Sequence, residues 1–196
     1  MDLNDYSIFR ENKETFKETS KDDSDTSHIQ YMTDSEMEIV NFDQVKRCYV
    51  NALGLSENNA ASVDALAQFA EGFAFVEFKN GKVNNRNVKD KIRDSLLMFT
   101  DITGESVSNT RNNLDLIVVY NIERNPLPNQ LKRGTLQESP SRIAIADHIA
   151  KKAKEEIILF DLERYKKLYF RKVHTYSKEK FAEYLTCQEI LTPQEV

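Results

Sequence analysis

The chain has 196 residues, of which 30% are charged, and its formal net charge at pH 7 is -5. This length suits one α/β domain with a substantial core and is too short for two ordinary domains. The sequence lacks both the apolar run of about 18 residues that a membrane span needs and the basic and apolar regions of a secretory signal. These features predict a cytoplasmic protein without membrane contact.

The two cysteines, Cys48 and Cys187, lie far apart and form neither a CxxC pair nor a Cys/His cluster. They therefore support neither a disulfide framework nor a structural zinc site. We expect both thiols to be buried and unreactive.

The negative charge is concentrated at the N-terminal end. Residues 1–45 hold 12 acidic and 4 basic side chains, a net charge of -8. Because the whole chain has 32 acidic and 27 basic side chains, residues 46–196 hold 20 and 23, a net charge of +3. This mild positive charge permits a polyanionic substrate, although it is weak beside a typical DNA-binding face.

Residues 1–33 are rich in Asp, Glu, Lys, Ser and Thr, and the stretch KETSKDDSDTSH has almost no large apolar side chain. Such a segment buries too little apolar surface to offset the entropy cost of ordering it. We predict a flexible acidic leader over residues 1–33, with a short helix around Ile8 to Phe16, and a single domain over residues 34–196.

The first elements of that domain are a helix and a hairpin. From Asp43, apolar residues recur at helical spacing, and Gly54 lies where a helix C′ glycine belongs. Two β-prone segments follow, residues 62–69 and 73–79, and the intervening Ala-Glu-Gly favours a turn.

The later segments alternate between helix and strand patterns. The first is a helix over residues 88–99, capped by Asn87, and the second is a strand over 114–120, covered on both faces at the centre of the sheet. A helix over 139–156 and a strand over 157–165 follow. The last are an extension of the sheet over 167–177 and a short helix capped by Ser177. This order predicts an α/β (α+β) fold in which a central sheet is flanked by helices.

The segment 73–79 carries two charged residues on one face. Alternate side chains of a strand point the same way, so Glu77 and Lys79 share a face. If the hairpin turn is centred on Ala70-Glu71, Asp64 lies opposite Glu77. If the turn is centred one residue later, Asp64 lies opposite Lys79. Either register places Asp64 beside the pair, whereas a three-residue loop without a bulge would turn it to the other face.

Two carboxylates about 5 Å apart on neighbouring strands repel each other, and a divalent cation bound between them removes that repulsion. Oxygen ligands favour Mg²⁺ or Mn²⁺ over zinc, and such an ion with a nearby ammonium is suited to phosphodiester hydrolysis. Glu-x-Lys spacing alone is weak, however, and an exposed, salt-bridged edge strand would also explain it.

The stretches SVDALAQFAEGFAFVEFKNGKV and KDKIRDSLLMF resemble the PD-(D/E)XK, or restriction-endonuclease-like, nuclease superfamily, in particular a branch of small bacterial proteins. NLDLIVVYN and FDLERYKKLYFRKVHTYSKEKFAEYL extend the resemblance, which covers roughly residues 45–185. It implies a central mixed sheet flanked by helices, with the catalytic residues on adjacent strands.

The resemblance implies that Asp64 and Glu77 are metal ligands and that Lys79 is the catalytic lysine. Many members add an acidic residue from the first core helix, for which we select Glu38, with Glu36 as the second choice. The residue before Asp64 is Val63 where many members have proline.

Basic residues after the motif are candidates for nucleic-acid binding, namely Lys82, Arg86 and Lys89, together with Lys91 and Arg93. A solvated helix face explains the same pattern.

Two functions follow from the sequence. The first is an Mg²⁺- or Mn²⁺-dependent nuclease that acts on DNA or RNA. The alternative is a non-catalytic protein of the same fold, of the immunity or antitoxin type, that binds another protein; the acidic leader and the lack of a strongly basic groove favour it. The sequence predicts no oligomeric state.

Overall fold

A six-stranded mixed β-sheet organises the chain in the computed structural model, which describes residues 1–22, 27–126 and 157–191. A separate two-stranded ribbon lies near the N-terminus. In chain order the strands are β1 (Lys13–Thr15), β2 (Lys21–Asp22), β3 (Gln30–Tyr31), β4 (Glu38–Asn41), β5 (Ala65–Phe69), β6 (Gly72–Lys79), β7 (Leu114–Tyr120) and β8 (Val173–Ser177).

Helices flank the sheet. They are α1 (Ser7–Arg10), α2 (Phe16–Thr19), α3 (Phe42–Ala52), α4 (Asn85–Thr103), α5 (Val107–Asn113) and α6 (Lys178–Leu191), with 3-10 turns at Leu3–Asp5, Glu57–Asn59 and Glu163–Tyr165. None of the helices in the described ranges is both long enough and apolar enough to span a membrane.

The order of the main sheet is β1-β4-β5-β6-β7-β8. The β1–β4, β4–β5 and β5–β6 pairs are antiparallel, whereas the β6–β7 and β7–β8 pairs are parallel. The parallel β6–β7 pair needs a crossover connection, and α4 lies in it. The predicted mixed sheet flanked by helices is therefore confirmed at this level.

Each face of the sheet carries a hydrophobic core. On the first face, Phe75 of β6 packs with residues of α1, α3 and α4. On the second face, Val76 and Phe78 pack with Phe16 of α2 and Phe181 of α6. Strand β7 is buried along its whole length, as predicted, although β5 and β6 occupy the middle of the sheet.

Helix ends follow the expected capping chemistry, with one correction. The Asn41 side chain accepts a hydrogen bond from the Gln44 N–H and so caps α3. Helix α4 is capped by Asn84 and not by Asn87, so it begins earlier than predicted. Gly54 follows α3 with φ +71°, the left-handed conformation that glycine adopts without strain. The Ser177 side chain accepts from the Lys180 N–H at the start of α6, as predicted.

The predicted flexible leader over residues 1–33 is wrong for residues 1–22. The side chains of Leu3, Phe9 and Phe16 are buried, and β1 extends the main sheet beside β4. Phe9 stacks on Phe99 of α4 with a centroid separation of 6.2 Å. A few large apolar side chains, widely spaced in a polar sequence, thus bury enough surface to order this end of the chain.

Two further expectations are wrong, and a third is not tested. The predicted strand over residues 157–165 is wrong, because Phe160 and Asp161 adopt positive φ angles of 62° and 57°, which interrupt an extended chain. The predicted helix over residues 139–156 lies outside the described residues. Cys48 and Cys187 are both exposed, so their predicted burial is wrong.

If the N-terminal segment is part of the core, Phe9→Ala will destabilise the protein by about 3–5 kcal/mol, because it leaves a cavity beside Phe99. The matched control is Ile29→Ala, since Ile29 is 49% exposed, and its cost should stay within roughly 0.5 kcal/mol. Urea denaturation measures both. Equal, small effects would show that the segment folds independently of the core.

Candidate functional site

Asp64, Glu77 and Lys79 converge on one face of the sheet. Strands β5 and β6 pair with Ala65 opposite Val76 and Phe69 opposite Gly72, so the turn is Ala70-Glu71. The first of the two predicted registers is therefore the one observed, and it places Asp64, immediately before β5, beside Glu77. The three residues share the face that packs against α4.

Glu77 is the centre of the cluster, and it is fully buried. Its Oε1 atom lies 2.5 Å from the Lys79 Nζ and 2.8 Å from the Lys91 Nζ. Its Oε2 atom accepts a hydrogen bond from the Lys91 Nζ at 3.1 Å. Because β6 is an interior strand and Glu77 is inaccessible to solvent, an exposed, salt-bridged edge strand does not explain the motif.

Asp64 completes the cluster through both of its carboxylate oxygens. Oδ2 accepts a hydrogen bond of 2.6 Å from the Phe78 N–H, and Oδ1 accepts one of 3.0 Å from the Lys91 Nζ. The Lys91 ammonium therefore bridges the two carboxylates. The two carboxylates thus share one cation, the Lys91 ammonium.

Lys91 is the site residue whose role the sequence did not reveal. It appeared there among basic residues assigned to a solvated helix face or a phosphate channel. The sequence position of Lys91 does indicate the face of α4 on which it lies, because it is three residues after Val88 and four before Ser95, both buried. Residues at this spacing lie on one helix face, so Lys91 projects toward the sheet.

Helix α4 also fixes the backbone that leads into Asp64. The Asp94 Oδ2 atom accepts a hydrogen bond from the Ala61 N–H at 2.9 Å. One residue later, the Ser95 Oγ atom accepts from the Val63 N–H at 2.8 Å. These two bonds hold residues 61–63 against the helix, so the position of Asp64 does not depend on Lys91 alone.

Burial and charge shift the protonation of the cluster. Burial of the carboxyl, followed by the charge of Asp64, raises the pKa of Glu77 to about 7, although Lys91 and Lys79 oppose the shift. Burial lowers the pKa of Lys91, but the charges of Glu77 and Asp64 outweigh it and leave that pKa raised. Lys91 is therefore a permanent cation near neutral pH, whereas Glu77 titrates there.

The Glu77 Oε1 atom lies against both ammonium groups of the cluster. Oε1 is within ion-pair distance of both ammonium groups, yet no donor in the described structure meets hydrogen-bond geometry with it. The short distances establish an electrostatic contact with both ammonium groups. Such an oxygen can contribute to a cation site.

The predicted third carboxylate is wrong. Glu38 lies on β4, where its exposed side chain pairs with the Lys13 Nζ at 2.7 Å. The β4–β5 register places Val40 opposite Leu66, so Glu38 points toward the end of the sheet away from Asp64. Glu36 pairs with Lys17 instead. The described residues contain no group of three or more His, Cys, Asp or Glu side chains able to hold a metal.

Of the basic residues predicted to bind nucleic acid, Lys91 belongs to the cluster, whereas Lys82, Arg86 and Lys89 lie outside it. Lys82 is exposed, and Arg86 is exposed beside Asp90. The Lys89 Nζ pairs with the Asp161 Oδ2 at 2.5 Å and so ties α4 to the turn after residue 157. Their role in binding phosphates stays a prediction.

A polar cavity of about 370 Å³ opens at the carboxyl ends of β6 and β7, directly after Lys79. In its wall, the Asn121 Nδ2 donates to the Asn80 Oδ1 at 3.0 Å, and the Asn80 Nδ2 donates to the Asp22 Oδ2 at 2.8 Å. Carboxyl ends of parallel strands are common ligand sites in α/β sheets. The sequence pattern did not predict a cavity at Asn80 or Asn121.

Comparison of the chain with protein-family models, curated proteins and solved structures yields no match. The resemblance to the PD-(D/E)XK superfamily therefore stays a prediction, and the geometry of the cluster carries the functional proposal.

The donor chemistry of the cluster fits a hard divalent cation. Asp64, just before β5, and Glu77 of β6 supply carboxylate oxygens from neighbouring positions of the sheet. Mg²⁺ commonly binds through one or two carboxylates and keeps several waters, so two protein ligands suffice. The Lys91 ammonium, however, lies between these same oxygens.

The raised pKa of Glu77 predicts that stability falls as pH rises from about 4.5 to 7. In that range the folded protein keeps the Glu77 proton and the unfolded chain has lost it, so ionisation favours unfolding. Between pH 5 and 7.5 the wild type should lose roughly 1–3 kcal/mol more free energy of unfolding than Glu77→Gln.

Urea denaturation at the two pH values measures this difference, and the titrating groups outside the cluster cancel because both proteins contain them. The same pH dependence in both proteins would show that Glu77 is already ionised at pH 5.

Proposed function

We propose that this protein is a divalent-cation-dependent phosphodiesterase that cleaves nucleic acid. The observation that carries the proposal is the convergence of Asp64 and the fully buried Glu77 with the ammonium of Lys79 on one face of the sheet. Burying such a cluster is costly, because charged groups lose their hydration, and functional sites are where this cost is commonly found.

In this proposal, Asp64 and Glu77 hold Mg²⁺ or Mn²⁺. When bound, the ion supplies polarisation of a phosphoryl oxygen and activation of a water molecule. The Lys79 Nζ, partly exposed and anchored on Glu77, orients the attacking water and offsets the negative charge that develops on the phosphate. The backbone N–H of Phe78 keeps Asp64 turned toward Glu77.

The proposed substrate is DNA or RNA. Residues 46–196 have a net charge of +3, and Lys82 and Arg86 are exposed where α4 begins. Together with Lys89, these residues would contact phosphates and position the backbone without reading its sequence. The proposal includes the cytoplasmic location predicted from the sequence, where Cys48 and Cys187 would remain reduced thiols.

One observation favours the alternative, a non-catalytic protein that binds a protein partner. With Lys91 in place, two carboxylates face two ammonium groups, and the cluster is formally neutral without any metal ion. A site balanced in this way can serve as a structural element of the fold.

The nuclease proposal predicts that the wild type cleaves plasmid DNA, single-stranded DNA or RNA in the presence of Mg²⁺ or Mn²⁺. Lys79→Ala should lower the rate on the order of 100-fold or more, because the ammonium that stabilises the developing charge is lost. The matched control is Lys172→Ala, which removes an exposed lysine paired with Glu71 at the far end of β6. It should retain full activity. Equal rates in wild type and Lys79→Ala, or no cleavage by either, would contradict the enzymatic proposal.

Metal binding distinguishes the two functions without a substrate. Under the nuclease proposal, Mn²⁺ raises the melting temperature of the wild type because it binds only the folded protein, and Asp64→Asn abolishes the increase. A wild-type melting temperature that does not respond to Mn²⁺ or Mg²⁺ would favour the protein-binding alternative.

A further inference from the structure

The Lys91 ammonium lies where the proposed divalent cation would bind. Its Nζ lies 3.0 Å from the Asp64 Oδ1 and 2.8 Å from the Glu77 Oε1. These are the oxygens that a divalent ion would use, and one ammonium already occupies the space between them. An ion and the ammonium cannot both hold this position.

We propose that Lys91 is a displaceable resident cation, which a divalent ion must expel from between Asp64 and Glu77 in order to bind. This inference rests on the proposed function, because it concerns the same cation site. It assigns Lys91 a role that its neighbours on α4 do not share, that of setting the affinity of the site for metal.

The charges of the cluster support competition. With both lysines present, the four side chains are formally neutral, so an incoming dication gains little net attraction. Once the Lys91 ammonium leaves, Asp64, Glu77 and Lys79 have a net charge of -1. Partial burial strengthens each of these interactions relative to water, so the presence or absence of one charge changes affinity substantially.

Lys91 has a route out of the site. Its side chain is 24% exposed and that of Asp64 is 15% exposed, whereas Glu77 is inaccessible. The Lys91 side chain therefore keeps some contact with solvent, unlike the carboxylate of Glu77 that it contacts. A lysine side chain has four flexible methylene groups, so the ammonium can move toward solvent while the backbone stays in place.

The scaffold does not need the Lys91 ion pair to hold α4. Asp94 and Ser95 bind the backbone N–H groups of Ala61 and Val63, and these hydrogen bonds do not involve Lys91. Val88 and Ile92, on either side of Lys91, are fully buried in the first core. Displacement of the ammonium thus leaves the helix and the backbone before Asp64 in position.

Lys79 does not play the same part. Its ammonium contacts Glu77, and no ion pair joins it to Asp64 in the described structure. It lies beside the pair of carboxylates, whereas Lys91 lies between them. Metal entry therefore displaces Lys91 and leaves Lys79 in place.

Isothermal titration with Mn²⁺ tests the inference. Lys91→Met, which keeps an unbranched side chain one atom shorter and removes its charge, should bind Mn²⁺ roughly tenfold more tightly than the wild type or better. The matched control is Lys172→Met, because Lys172 pairs with Glu71 at the far end of β6, outside the cluster. It should bind as the wild type does, and Asp64→Asn combined with Lys91→Met should lose the gain.

The outcomes separate this inference from the proposed function. If the wild type binds Mn²⁺ and Lys91→Met binds it no more tightly, Lys91 does not compete, and the inference fails while the cation site stands. If neither protein binds Mn²⁺, the proposed function fails and the inference fails with it.

A measurement on the wild type covers the case in which Lys91→Met does not fold. Acetylation of lysines, quantified by mass spectrometry, should increase at Lys91 when Mg²⁺ is added, because the displaced ammonium gains access to the reagent. Labelling of Lys89 should not change. Unchanged labelling of Lys91 at a Mg²⁺ concentration that raises the melting temperature would overturn the inference.

Discussion

The buried carboxylate of Glu77 is the constraint on which the candidate site depends. An ionised group with no access to water is tolerated only when opposite charges neutralise it, and Lys79 and Lys91 supply those charges. Asp64 adds a second negative charge to the same space and raises the pKa of Glu77 further. The two ammonium groups favour the charged form of Glu77, whereas burial and the charge of Asp64 oppose it.

Two structural devices hold this balance in place. The two-residue turn at Ala70-Glu71 sets the β5–β6 register and so places Asp64 beside Glu77. Helix α4 then covers the same face and presents Lys91 to both carboxylates, while Asp94 and Ser95 bind the backbone of residues 61–63. The backbone N–H of Phe78 fixes the second oxygen of Asp64. Local hairpin chemistry and the packing of one helix are therefore sufficient to assemble the site.

Much of this arrangement was predictable from the sequence, and the failures have physical reasons. Strand alternation placed Glu77 and Lys79 on one face, and helical spacing identified α3 and α4, because both periodicities are local. The burial of Phe9 was missed because composition averages over a polar segment and ignores its few aromatic anchors. Glu38 was selected by analogy, but sheet register directs it away from the cluster. The strand predicted at residues 157–165 does not form, because Phe160 and Asp161 adopt positive φ angles. The pattern of apolar residues does not indicate such backbone angles.

The central claim is that the space between Asp64 and Glu77 is a cation site, filled by an ammonium until a metal ion replaces it. The most direct test is a crystal structure of the protein soaked in Mn²⁺, with anomalous data to locate the ion. The account predicts an anomalous peak between the two carboxylates, with the Lys91 ammonium turned toward solvent and Lys79 still beside Glu77. A map with no peak there and Lys91 still bridging the two carboxylates would contradict it.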